Sequence, residues 1–162
     1  MMRQALIWAC VVILGCIPRI GFAADPPGLI TVASKNSVAE TIQRYEDAIR
    51  VNADEGWMVF TRIDHAAAAE KYGLKLLPRT VVVYGRPLGG TPNMVAVPTV
   101  AIDIPPKALV WQDDQGKVWL SYNSAAYLHQ YVYPRHGVAT PPAEVTEGFA
   151  QLLQGWATKA TQ

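Results

Sequence analysis

The stretch from Ala108 to Tyr122 most narrows what this chain can fold into. Ala108-Leu109-Val110-Trp111-Gln112 and Lys117-Val118-Trp119-Leu120-Ser121-Tyr122 are two short apolar runs joined by Asp113-Asp114-Gln115-Gly116. Turn-forming residues between two β-prone runs read as a β-hairpin. A hairpin commits its strands to be antiparallel neighbours, which weighs against a regularly alternating parallel sheet.

The flanking segments extend that sheet. Leu29 to Ser34 has the β-branched content of a first strand. Ser37 with Glu40 forms a capping box, and Val38, Ile42, Tyr45 and Ile49 recur on one face of a helix ending near Gly56. Trp57 to Ile63 reads as a second strand, largely buried, running into Asp64-His65. Asp64 is placed to cap a short helix from Ala66 to Tyr72, closed by Gly73. Thr80 to Tyr84 reads as a third strand whose three consecutive valines predict burial on both faces. A glycine-rich loop, Gly85 to Gly90, follows, with Thr91 as N-cap and Pro92 as first residue of a short helix that Pro98 interrupts or restarts. After the hairpin, Ser124 caps a helix through Tyr127, Leu128 and Tyr131, ended by Pro134 to Gly137. Thr140-Pro141-Pro142 opens a last helix with Val145, Phe149, Leu152, Leu153 and Trp156 as its apolar stripe. This order predicts an α+β fold: a single domain with one mainly antiparallel sheet and helices packed on one face.

The first residues stand apart from that domain. Arg3, an apolar run from Ala5 to Ile17, Pro18, and the small residues Gly21, Ala23 and Ala24 have the layout of a cleaved signal peptide over residues 1–24. The run falls short of the roughly 20 residues needed to span a bilayer. A second route is lipoprotein processing at Ile13-Leu14-Gly15-Cys16, which would leave Cys16 acylated, the one way this chain is expected to meet a membrane. Residues 25–36 then read as linker and first strand, 37–133 as the core domain, and 134–162 as a linker and amphipathic helix. The expected location is periplasmic or secreted.

Composition excludes several function classes. Both cysteines, Cys10 and Cys16, lie in the export segment, so the mature domain has neither disulfide nor thiol nucleophile. Removing Arg3 and Arg19 leaves 12 basic against 13 acidic residues, a balance that gives no footprint for nucleic acid. His65, His129 and His136 lack tight ligand spacing, so no metal site is expected, and no motif implies a cofactor. A nucleophile elbow of the Gly-x-Ser-x-Gly type is absent.

Separated motifs add a family resemblance over about Ser37 to Tyr131. They are Phe60-Thr61-Arg62-Ile63-Asp64-His65, Leu77-Pro78, Tyr84-Gly85-Arg86-Pro87, Gly90-Thr91-Pro92 with Met94, Asp103-Ile104-Pro105-Pro106-Lys107, and Val118-Trp119 with Tyr122. On these the chain resembles the bacterial domain-of-unknown-function family 302. Tyr84, Arg86 and Pro106 depart from the usual Phe, Asn and Leu, so a family ligand that used the amide would find a guanidinium here. The resemblance implies a compact α+β domain that can dimerise, and it names no reaction.

The candidate site is the turn after the third strand. A strand, a glycine-rich turn and a helix start can present backbone N–H groups to an anion, with Arg86 adding donors. Neither a Walker motif nor a dinucleotide fingerprint is present, and Pro92 removes one N–H, so the glycines also serve plain turn-making. His65 is the candidate for acid–base chemistry, although Asp64 beside it would point to the opposite face of a strand. Tyr122, Tyr127, Tyr131 and Tyr133 form an aromatic-rich end able to line a pocket. The reading is an exported binding domain for a small, anionic ligand held by His65, Tyr84, Gly85, Arg86, Gly90, Thr91, Lys107 and Tyr122. The alternatives are an enzyme using His65 as general acid or base, and an assembly module that forms a homodimer through its final helix.

Overall fold

The computed structural model describes residues 28–162. The export segment and the Cys16 processing box predicted above lie outside the described residues. The hairpin forms as its turn residues dictate. Strand β4 (Lys107–Gln112) pairs antiparallel with β5 (Val118–Asn123), with Val110 opposite Leu120. Asp113 closes the turn by accepting the backbone N–H groups of Gln115 at 3.0 Å and Lys117 at 2.8 Å, and its other oxygen takes the Trp119 indole N–H at 2.8 Å.

Around the hairpin the chain adds β1 (Leu29–Ser34), α1 (Val38–Arg50), β2 (Met58–Asp64), α2 (His65–Glu70), β3 (Arg79–Gly85) and α3 (Pro87–Ala96) before it, and α4 (Ala125–Tyr127) and α5 (Ala143–Thr161) after it. All strand pairs are antiparallel and the order is β1-β5-β4-β3-β2. Helices α1 and α5 contact each other and both lie against the sheet. Val82, Tyr84, Val110, Leu120 and Tyr122 meet Ile42, Tyr45 and Ile49 of α1 and Leu153, Trp156 and Ala157 of α5 in the core. Burying each of the larger of these side chains contributes about 1.5–3 kcal/mol before the entropy of ordering it. Leu153 and Trp156 of the α5 stripe are part of this core and Phe149 and Leu152 pack against it, whereas Val145 is 51 % exposed; Trp156 is 2 % exposed, with its indole N–H on the Asn52 side chain at 3.0 Å.

Several local expectations change. α1 stops at Arg50, and a 3₁₀ turn, Ala53–Glu55, carries the chain to Gly56. β2 is not buried: it is the sheet's edge, mostly exposed, with Ile63 at 46 %. Val59 packs against the core, but Met58, Phe60 and Ile63 stay largely exposed, so hydrophobicity alone misread the strand's position. β3 is likewise buried on one face only, since Thr80, Val82 and Tyr84 point to the helices while Val81 and Val83 point to the other, partly open face. The glycine-rich segment is helical, because α3 begins at Pro87 with Arg86 as its N-cap, leaving Pro92 inside the helix. Either proline could have occupied the first helical position, and the earlier one does.

Glu46 links the first helix to the edge strand. Its side chain is 3 % exposed and accepts hydrogen bonds from Arg62 of β2 and, at 2.7 Å, from Arg50. The Arg62 hydrogen bond is the main reason its carboxyl is held below the usual value. Beside it in sequence, Tyr45 is fully buried, its hydroxyl near that of Tyr84 but outside good hydrogen-bond geometry.

Candidate functional site

The sheet ends at β2 and β3 in a large cleft, and local sequence explains each wall. Where β2 meets β3 the register slips between Val59 and Thr61, a bulge that frees Phe60 from the regular ladder. Phe60 then lies against Gly85 and Pro105; a Cβ on Gly85 would come within 3.0 Å of Pro105 and 3.1 Å of the Phe60 ring. A larger residue at 85 would have to push Pro105 or the Phe60 ring back by a few tenths of an ångström. α3 forms the next wall through Gly89, Gly90, Thr91 and Met94, and Ile104-Pro105-Pro106 the floor beside it. Opposite stand His129 and Tyr133, the 138–141 segment, and Glu144, Gly148, Phe149 and Leu152 of α5. The cleft is partly open and has a volume of about 1020 Å³, at the upper end of the range for small-molecule sites.

The aromatic wall continues into the core. Trp57 stacks on Phe149 with ring centres 5.8 Å apart and meets Trp156 edge-on at 5.0 Å; Trp156 meets Tyr84, which meets Tyr45, each at 5.6 Å. Edge-to-face contacts of this kind add about 0.5–1.5 kcal/mol each to area burial, so the wall is held by the core itself. Burial pushes the Tyr133 hydroxyl up to about 12, so Tyr133 presents a neutral hydroxyl. His129 sits between rings, with its Nδ1 2.9 Å from the Thr146 hydroxyl, and burial lowers its pKa. Charges along the lining are Arg86 against Glu55 and Glu144.

Of the residues expected at a site, Gly85, Arg86, Gly90 and Thr91 line this cleft. Tyr84 and Tyr122 do not; they are 1 % and 4 % exposed and serve the core. Lys107 opens instead on a smaller pocket of about 170 Å³ with Asp103, Asn123 and Arg135. His65 is exposed at the start of α2, at the far end of β2 from the cleft, about 20 Å away at ~3.4 Å per strand residue. Asp64 beside it caps α2, its carboxylate accepting the Ala67 N–H at 3.0 Å. The start of α3 offers few donors to an anion: Pro87 has no N–H, and those of Gly89 and Gly90 are given to the Arg86 carbonyl at 3.0 and 2.9 Å. Among the described residues no group of three or more His, Cys, Asp or Glu is placed to hold a metal.

Sequence reasoning missed Trp57, Phe60, His129 and Phe149 as cleft residues. Tyr133 had a signal in the aromatic cluster after the hairpin, whereas Tyr127 and Tyr131 of that cluster pack on each other, ring centres 5.9 Å apart.

Comparison with known proteins agrees with the fold. Residues 30–155 match the family described as "Domain of unknown function DUF302". The chain belongs to the DUF302 family. A solved DUF302 relative, the "uncharacterized conserved protein DUF302 from Bacillus stearothermophilus", superposes with a TM-score of 0.63 at 17 % identity, covering 82 % of this chain and 98 % of that one. At that identity the likeness speaks for the DUF302 fold alone. The chain is also 45 % identical over 103 residues to "Fluoride-specific ion channel FluC 1" of Brucella suis biovar 1 and to the protein of the same name from Brucella abortus biovar 1. Those matches take in 64 % of this DUF302 chain but only 39 % and 37 % of the Brucella proteins, so it spans less than two fifths of these relatives.

Proposed function

We propose that this DUF302 domain binds a small, predominantly apolar molecule in the cleft between β3, α3 and α5. The observation that carries the reading is the cleft itself: about 1020 Å³ walled by aromatic and aliphatic side chains, with few polar groups. Gly148 supports it. This glycine lies within α5, where it costs about 1 kcal/mol relative to alanine, and a Cβ there would meet nothing within 4 Å, so packing does not demand it. Its place on the lining leaves open space instead.

Ligand charge is not what the lining selects. Arg86 is offset by Glu55 and Glu144, and the spent N–H groups of α3 give no anion nest, so Arg86 alone speaks for an anionic end. Export to the periplasm or medium remains part of the proposal, checked by the intact mass of the chain in the exported fraction. Channel activity is not carried over from the Brucella proteins, because the match takes in less than two fifths of each.

Equilibrium dialysis with naphthalene tests the reading. One molecule bound per chain is expected, with binding lost in Gly148→Phe while thermal unfolding stays within a few degrees of the parent. Equal binding by that variant would place the ligand elsewhere, and no binding by either protein would refute an apolar-ligand site.

A further inference from the structure

The cleft contains one polar side chain whose orientation is fixed from several directions. His129 sits on a π-helical turn, Leu128–Val132, in which the Tyr133 N–H reaches back to the Leu128 carbonyl at 2.9 Å. Such turns are rare, and they recur at functional positions. The His129 ring is stacked on Phe149 with centres 5.6 Å apart and lies 5.8 Å from Tyr133 on another side. Its Nδ1 is spent on Thr146, at 2.9 Å. Nε2 is then the polar atom left over, with no protein partner among the described residues, on a residue that lines the cleft. Because burial lowers its pKa, the imidazole is neutral at pH 7.

We propose that Nε2 of His129 is the polar anchor of the cleft and that the ligand is an apolar, ring-bearing molecule with one neutral hydroxyl, of the phenol class. This rests on the apolar-ligand reading above and adds one directed hydrogen bond to it. A hydroxyl both donates and accepts, so it matches Nε2 whichever tautomer Thr146 selects. A carboxylate matches only the tautomer with a proton on Nε2, and it would add a negative charge among apolar walls whose cation, Arg86, is already outnumbered by Glu55 and Glu144. Trp57, Phe60, Tyr133 and Phe149 supply ring faces and edges for an aromatic body.

The experiment compares naphthalene with 2-naphthol by equilibrium dialysis, on the parent chain and on His129→Phe, which keeps a flat ring between Tyr133 and Phe149. In the parent, the hydroxyl is expected to tighten binding about two- to tenfold, the range of one net neutral hydrogen bond. In His129→Phe the naphthol is expected to lose that advantage, so that the ratio of the two affinities falls to one or below whatever the new ring does to naphthalene itself. Thermal unfolding verifies that the variant is folded. If it is not, Thr146→Val, which releases the ring from its hydrogen bond, takes its place and is expected to reduce the naphthol advantage. A naphthol-to-naphthalene ratio that is the same in parent and variant overturns the anchor while leaving the apolar site standing. Failure of naphthalene to bind the parent overturns both.

Discussion

Replacing Glu46 by Gln tests whether the tie between α1 and the edge strand acts through charge. Glu46 is buried, but its partners Arg62 and Arg50 are 45 % and 52 % exposed, so solvent screens each of them. Removing one member of a fully buried pair costs about 3–5 kcal/mol, whereas exposed pairs are worth about 0.2–1 kcal/mol. One buried carboxylate shared by two half-exposed guanidinium groups lies between these, at about 2 kcal/mol, because Gln keeps the shape and one acceptor but not the charge. At a urea m-value of about 2 kcal/mol/M this lowers the denaturation midpoint by about 1 M. The effect has a defined pH dependence. The folded carboxyl is held below the usual value of 4.5, so its stabilisation is complete well above that value and is lost as pH falls through the folded value. Urea unfolding followed by circular dichroism should show the full gap between parent and Glu46→Gln at pH 7, narrowing steadily below about pH 4.5 as the parent's carboxyl takes up its proton. A gap of the same size at pH 7 and pH 3 would mean that shape, and not charge, fixes β2 to α1, and would refute the reasoning.

Two further substitutions probe the core. Tyr45→Phe deletes a buried hydroxyl that lies near the Tyr84 hydroxyl but outside good hydrogen-bond geometry, so it should change stability by less than about 1 kcal/mol in urea unfolding; a loss of about 2 kcal/mol would mean that the pair is fully hydrogen-bonded in solution. Gly28→Ala should cost about 2–4 kcal/mol, because Gly28 has φ 87° and a Cβ would lie 2.3 Å from Cγ of Tyr127; an unchanged melting temperature would show that Tyr127 gives way freely.

The parts legible in the sequence were those decided within a few residues. Ser37, Asp64 and Ser124 each precede a helix, and each side chain accepts the N–H three residues on, from Glu40, Ala67 and Tyr127. The hairpin is equally local. Strand order is not, and it alone put the apolar β2 at an exposed edge. The start of α3 was ambiguous because Pro87 and Pro92 are equivalent signals five residues apart. The cleft was half legible: Gly85, Arg86, Gly90 and Thr91 are contiguous enough to be found together, whereas Phe60, His129 and Phe149 reach it only through a bulge, a π-helical turn and the packing of α5. His65 drew notice as a histidine beside an aspartate, but the aspartate caps the helix.

The sheet order also bears on when this chain can fold. β1 is made first, yet it pairs only with β5, and the Thr31 and Ser121 hydroxyls that meet at 3.0 Å are 90 residues apart. Just beyond β1, the Lys35 N–H bonds the carbonyl of Thr161, at the end of α5. β1 can therefore not be locked in place until nearly all of the sequence is present, although α1, β2 and β3 can meet before then, and pairings of such long range are entropically slow to form. On a growing chain β1 thus has no strand partner until β5 is made, and the sheet gains its second edge only when the chain is nearly complete.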